Sequence, residues 1–288
     1  MPFIPAASGR VFRRRRIKRG DKAAAETLGG AISAAKPDWD PRQYLHFAEE
    51  RLRPAIDLAA RIEHPCPRRV IDLGCGTGNA LPVLSARFPN AEVLGVDSSP
   101  AMLEKASSAG FTTRLATIAT WAPPEPVEVI FSNAALQWLP DHAALFPRLL
   151  ACLTSGGILA VQMPAMHNEP VRALQPVIAS SGPWSKQIVG VTSAPPILEP
   201  AAYYDLLSDR VSAVEIWITQ YLHVLRGKDP VVQWAMGTSL RPYLDALRPS
   251  DRPEFIAAYS KALRPHYPPR ADGTVLLAFR RLFILARK

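Results

Sequence analysis

Between Arg68 and Met163 the chain alternates short unbroken apolar runs with stretches of helical period. The runs RRVIDLG, AEVLGVD, TTRLATI, VEVIFSN and GGILAVQM are each too short for a helix and rich in Val, Ile and Leu, which marks buried strands. Between them NALPVLSARF, SPAMLEKASSAG and HAALFPRLLACL space their apolar residues as helices do, the second opening on a serine cap and a proline. Strands linked by helices require right-handed crossovers, hence a parallel sheet covered on both faces. Upstream, PDWDPRQYLHFAEERLRPAIDLAARI reads as a short lead-in followed by an amphipathic helix.

Beyond residue 164 this regularity is lost. Residues 165 to 210 are punctuated by proline and predict short helices. VEIWITQYLHVL predicts a sixth strand and DPVVQWAMGTSLRPYLDAL and SDRPEFIAAYSKAL two helices. TVLLAFRRLFILARK, strongly apolar, predicts a seventh strand. The expected fold is α/β, Rossmann-like and doubly wound, with a seven-stranded, mostly parallel sheet and helical lid insertions. A tail spans 1–37 and the domain 38–288, with its sheet core at about 66–164, an acceptor-side lid at about 165–272 and the last strand at about 274–287. No internal repeats are visible.

Charge changes the picture only at one end. Of the net +9, +7 lies in residues 1–37, where nine basic residues face two acids, Asp21 and Glu26. The VFRRRRIKRG run could touch nucleic acid or an anionic surface, but its expected state is a solvated, disordered tail. No nucleic-acid partner is expected beyond such non-specific contact. The tail lacks the apolar segment of a secretory signal, although a transit peptide shares its composition. No apolar run approaches the ~18 residues of a membrane span. The three cysteines, Cys66, Cys75 and Cys152, have no metal-ligand spacing, so reduced thiols, a cytoplasmic setting and no metal site are expected.

The strongest chemical signal is VIDLGCGTGN: a strand, Asp72, then Gly74, Gly76 and Gly78 before a helix. Glycines there let the backbone turn tightly and approach a ligand closely. At the end of the second strand stands Asp97, placed to accept from both hydroxyls of a ribose. The G-x-G-x-G spacing, preceded by an acid, differs from the dinucleotide fingerprint G-x-G-x-x-G, although a nicotinamide enzyme of the related fold would share most of these features. Together they resemble the class I S-adenosylmethionine-dependent methyltransferases.

Outside the loop, DWDPRQYLHFAEERLRPA, the stretch from Asp97 to Leu103, NAALQWLPDH, LAVQMP, AYYDLLS, TSLRPYL and LLAFRRLFILAR resemble the trans-aconitate 2-methyltransferase family, in that family's order from about Asp38 to the C-terminus. The resemblance implies transfer of a methyl group from S-adenosylmethionine to one carboxylate of trans-aconitate, giving a monomethyl ester. It implies that Gly74, Gly76 and Gly78 line the methionine end of the cofactor with Asp72 behind them. Asp97 would hold the ribose, Ser98 and Met102 would lie beside the adenosine, and Asn133 would sit near the amino-acid portion. Two positions depart from the pattern. Thr117 stands where an aspartate would meet the adenine amino group, and Ile218 where an arginine is expected.

A carboxylate acceptor has a pKa near 4 and is already an anion at neutral pH, so no general base is required. Its binding calls for cations, and arginine's planar fork suits it. Candidates are Arg51, Arg53, Arg241 and Arg281, with Tyr221 and His223 as helpers and Gln137 and Trp138 at the strand end FSNAALQWLPDH. Each has a bland alternative: a lone arginine as a surface residue, His223 as a packed core histidine, Trp138 as a core tryptophan. Other functions also stay open, namely a methyltransferase for another small acid or hydroxyl metabolite, and a non-catalytic cofactor-binding module.

Overall fold

The computed structural model describes residues 48–191 and 194–288, and side chains from Leu52 onward. The basic tail, the lead-in residues 38–47 and the side chain of Arg51 lie outside the described residues. Seven strands form one sheet: β1 (Arg69–Leu73), β2 (Glu92–Asp97), β3 (Thr112–Leu115), β4 (Val127–Asn133), β5 (Leu153–Pro164), β6 (Ala213–Leu225) and β7 (Val275–Arg287). Their order is β3-β2-β1-β4-β5-β7-β6. The first five pair in parallel, whereas β7 is antiparallel to both β5 and β6. The expected seven-stranded, mostly parallel α/β architecture is therefore present.

The helices are α1 (Ala48–Ala60), α2 (Leu81–Arg87), α3 (Pro100–Ser108), α4 (His142–Ala151), α5 (Pro170–Ser181), α6 (Pro200–Leu207), α7 (Pro230–Met236), α8 (Arg241–Ala246) and α9 (Arg252–Leu263). Two elements differ from their sequence expectation. TTRLATI is a strand only as far as Leu115, because Thr117 then accepts the amides of Thr120 and Trp121 and the chain turns. The helix expected over 229–247 is two, α7 and α8. Gly237 closes the first and Pro242 opens the second, and proline tolerates only the first turn of a helix.

Alternation along the strands sorts their side chains onto two faces. One carries Ile71, Leu73, Ile130, Leu159, Val161, Leu282 and Ile284 against Leu145, Phe146 and Leu149 of α4 and Tyr203 and Leu207 of α6. The other carries Val70, Val129, Phe131, Ala160, Phe283 and Leu285 under Ala55, Leu58, Ala59 and Ile62 of α1 and Leu84 of α2. Leu58 has no exposed surface, so truncating it to alanine would cost about 2–5 kcal/mol. A third cluster joins Leu225 of β6 and Val275 and Leu277 of β7 to α5, α7, α8 and α9. Since Pro164, at the end of β5, is level with Arg281, the residues of β7 before Arg281 lie past that end of β5.

Candidate active site

The loop after β1 is strapped to the end of β2. The amides of Gly74 and Cys75 both donate to the Val96 carbonyl, at 2.7 and 3.0 Å. One carboxylate oxygen of Asp97 accepts the Gly76 amide and the other the Ser99 amide, each at 2.9 Å. Ionised carboxylate oxygens have two lone-pair sites each, so one on either oxygen remains, enough for a pair of hydroxyls. Ser99 caps α3 by accepting from the Met102 amide, and Met102 is buried while Ser98 is exposed beside Asp97.

Glycine is required for different reasons at Gly74 and Gly76. Gly74 has φ of +85°, and a Cβ there would collide with that of Ala135. Gly76, with φ of +56°, has nothing within 4 Å of where a Cβ would stand. The loop is thus closed against the protein at Gly74 and open at Gly76, as a cradle for a ligand must be.

Asp72 is 2% exposed, and its Oδ2 has no hydrogen-bond partner. Burial, reinforced by the nearby Asp97 charge, pushes its pKa up to about 7. Asn133, ending β4, also has a buried oxygen, Oδ1, without a partner. Both orphans are acceptors, and an ammonium is the ligand group that would satisfy them while compensating the charge of an ionised Asp72. Asp72, Asn133 and Asp97 therefore fit the amino group and ribose of S-adenosylmethionine.

Past Asn133 the backbone turns through Ala134 at φ of +54° into a 3₁₀ turn, Leu136–Trp138. Gln137 braces that bend, its Nε2 donating to the Ala134 carbonyl at 2.7 Å, which leaves its buried Oε1 unpartnered. Its Nε2 keeps a second hydrogen, so Gln137 still offers a donor beside that acceptor. Trp138 is 38% exposed at the rim. His142 supports the turn from beneath. Its Nε2 faces the Leu136 carbonyl at 2.9 Å, which can only accept, so Nε2 carries the proton and Nδ1 accepts from the Tyr203 hydroxyl. Burial lowers the His142 pKa, consistent with a neutral ring.

On the α1 side of the sheet, β5, β6 and β7 supply a second polar group. Arg281 is only 3% exposed; its guanidinium lies 4.4 Å from the Phe279 ring centroid, and Nη1 donates to Gln162 Oε1 at 3.3 Å. Gln162 is the register partner of Asn133. Tyr221 donates to Asp57 of α1 at 2.6 Å and carries the Arg53 guanidinium over its ring at 5.4 Å. Burial and that hydrogen bond raise the phenol's pKa.

His223 shares the face of Tyr221 and touches the Phe279 ring at 5.5 Å, the ring that also carries Arg281, so it borders this group. It also stacks on Trp234 of the third cluster at 4.6 Å, and Arg241 pairs with Asp245 at 3.4 Å. Ile218 has the same strand parity as Ile216, opposite to that of Tyr221, so it faces away from Arg281. Gln162, Asp57, His142 and Tyr203 were not singled out from sequence. The LAVQMP motif contains Gln162, and an amide inside a fully buried strand was the available signal. Among the described residues no cluster of His, Cys, Asp and Glu could hold a metal ion, and no helix is long and apolar enough to cross a membrane.

Residues 44–185 match a family model described as a methyltransferase domain. The chain is 48% identical over 256 residues to a trans-aconitate 2-methyltransferase of Methylobacterium radiotolerans, covering 87% of this chain and 98% of that one. In fold it is similar to the YcgJ protein of Bacillus subtilis, with a TM-score of 0.56 and 15% identity over 82% of this chain and 98% of that one. It is also similar to a Haemonchus contortus phosphoethanolamine N-methyltransferase solved with phosphomonomethylethanolamine and S-adenosylhomocysteine, with a TM-score of 0.53 and 14% identity over 88% of this chain and 58% of that one.

Proposed function

The chain belongs to the trans-aconitate 2-methyltransferase family, and from that premise we propose that it methylates one carboxylate of trans-aconitate with S-adenosylmethionine as donor. The observation that carries the reading is the division of polarity along one face of the sheet. Asp72 and Asn133 offer unpartnered acceptors at the ends of β1 and β4, while Arg281 and Gln162 offer donors on β7 and β5. A cationic donor and an anionic acceptor would each meet the complementary set.

In this reading Asp72 and Asn133 bind the amino group of the cofactor, Asp97 its ribose, and the loop from Gly74 to Gly78 its methionine end. When bound, the cofactor supplies an electrophilic methyl on a sulfonium that departs as a neutral thioether. Arg281 grips a carboxylate of the acceptor, with Arg53 and Trp138 at the rim. The substrate oxygen is already an anion, so the protein's task is orientation and the exclusion of water. Holding two reactants in line can supply about 7–11 kcal/mol of a barrier. Tyr221 has no role as a base here, since its hydrogen goes to Asp57. The free cysteines favour a reducing, cytoplasmic setting.

The test is a methyl-transfer assay over a panel of di- and tricarboxylic acids, with products read by mass spectrometry. A monomethyl ester of trans-aconitate formed in preference to other esters supports the reading. Binding of S-adenosylhomocysteine with no ester from any acid would overturn it in favour of a non-catalytic module.

A further inference from the structure

Gln162 is fully buried near the end of β5, level with the last residue of β4 and flanked in its own strand by Val161 and Met163. Arg281 can only donate, so the amide atom that faces it must be the oxygen. That fixes the orientation of the amide and leaves Nε2, with two hydrogens, unpartnered inside the protein. A buried donor left unmade costs about 1–3 kcal/mol, and an apolar residue of the same size would avoid that penalty. The position is also particular: Gln162 is in register with Asn133 on one side, and through Arg281 it reaches β7 on the other. It is the point where the acceptor-lined and donor-lined halves of the face meet.

We propose that Gln162 is a specificity-determining residue that donates its Nε2 hydrogens to a carboxylate of the bound acceptor while its Oε1 orients Arg281. The inference rests on the function proposed above. Its chemical content is a paired donor set: a guanidinium fork from Arg281 and an amide from Gln162, converging on one carboxylate that is not being methylated. An ester, amide or hydroxyl in place of that carboxylate would lose the charged half of both hydrogen bonds.

Two near-isosteric variants test it, Gln162→Met and Gln162→Glu. Each is measured for KM and kcat with trans-aconitate, for affinity toward S-adenosylhomocysteine, and for melting temperature. Loss of one hydrogen bond to a charged group corresponds to roughly 10- to 100-fold in binding. Gln162→Met should therefore raise KM by that factor and leave the S-adenosylhomocysteine affinity unchanged, while any fall in melting temperature reports the lost Oε1 partner of buried Arg281. Gln162→Glu should raise KM further, because its carboxylate repels that of the substrate and competes for Arg281. The KM penalty of Gln162→Met should vanish for a dicarboxylate analogue lacking the gripped carboxylate, a readout that a packing role would not move.

An unchanged KM in Gln162→Met, or a KM penalty equal for the tricarboxylate and all its dicarboxylate analogues, overturns the inference while leaving the proposed function standing. A wild-type protein that methylates no carboxylic acid overturns both.

Discussion

The hydroxyl of Tyr221 on β6 donates to the carboxylate of Asp57 on α1 at 2.6 Å, joining residues 164 positions apart. This bond ties the leading helix to the strand at the far edge of the sheet, over the face that carries Arg281 and Gln162. Tyr221→Phe keeps the ring under Arg53 and removes only the donor. Because Asp57 is exposed, the expected loss of stability is modest, about 1 kcal/mol. Denaturant unfolding measures it, and hydrogen exchange should show faster opening of α1 than in the wild type.

Asp72 predicts a pH dependence of stability with a definite sign. Its carboxyl titrates near 3.8 when unfolded and at about 7 in the buried site. Between those values the folded protein binds more protons, so the Asp72 contribution destabilises the fold as pH rises from about 4 to about 7. Linkage sets its upper limit on the order of 4 kcal/mol. Asp72→Asn removes it, so the variant should gain in melting temperature relative to the wild type at pH 7.5 and not at pH 4. The same window governs ligand binding. Affinity for S-adenosylhomocysteine, which carries an ammonium, should rise toward pH 7 in the wild type and stay flat in Asp72→Asn.

Gly74 and Gly76 separate folding from binding. Gly74→Ala combines a positive φ with a collision at Ala135 and should abolish the native fold, seen as loss of the thermal transition. Gly76→Ala adds a methyl to open space at a left-handed position, a cost of roughly 1–2 kcal/mol. It should fold and lose S-adenosylhomocysteine binding, as calorimetry would show.

Thr117 is exposed just after β3 and holds the following turn through its carbonyl, not its hydroxyl. Aspartate is therefore tolerated there without disturbing the turn. If the site lacks a charged contact to adenine, Thr117→Asp should tighten cofactor binding by about 1.5–3 kcal/mol. Unchanged calorimetric affinity would remove Thr117 from the adenine site.

The parts legible in sequence were those whose physics is local. The loop from Asp72 to Gly78 is written in consecutive residues, and Asp97 follows at the end of the next apolar run. Gln162 was not legible. Within LAVQMP it reads as one polar residue in a core strand, and its partner Arg281 is 119 positions away. The break between α7 and α8 is local and lay in view at Gly237 and Pro242, but the helical period across it concealed it. His142 and Tyr203 meet only because α4 and α6 pack on the same face of the sheet.

The two long antiparallel strands have a mechanical consequence. β6 and β7 pass without interruption from the sheet core into the third cluster, so the helices gathered there are mounted on a continuous ribbon instead of a hinge. Bending that ribbon would break ladder hydrogen bonds between β6 and β7. The third cluster is therefore held stiffly along β6 and β7.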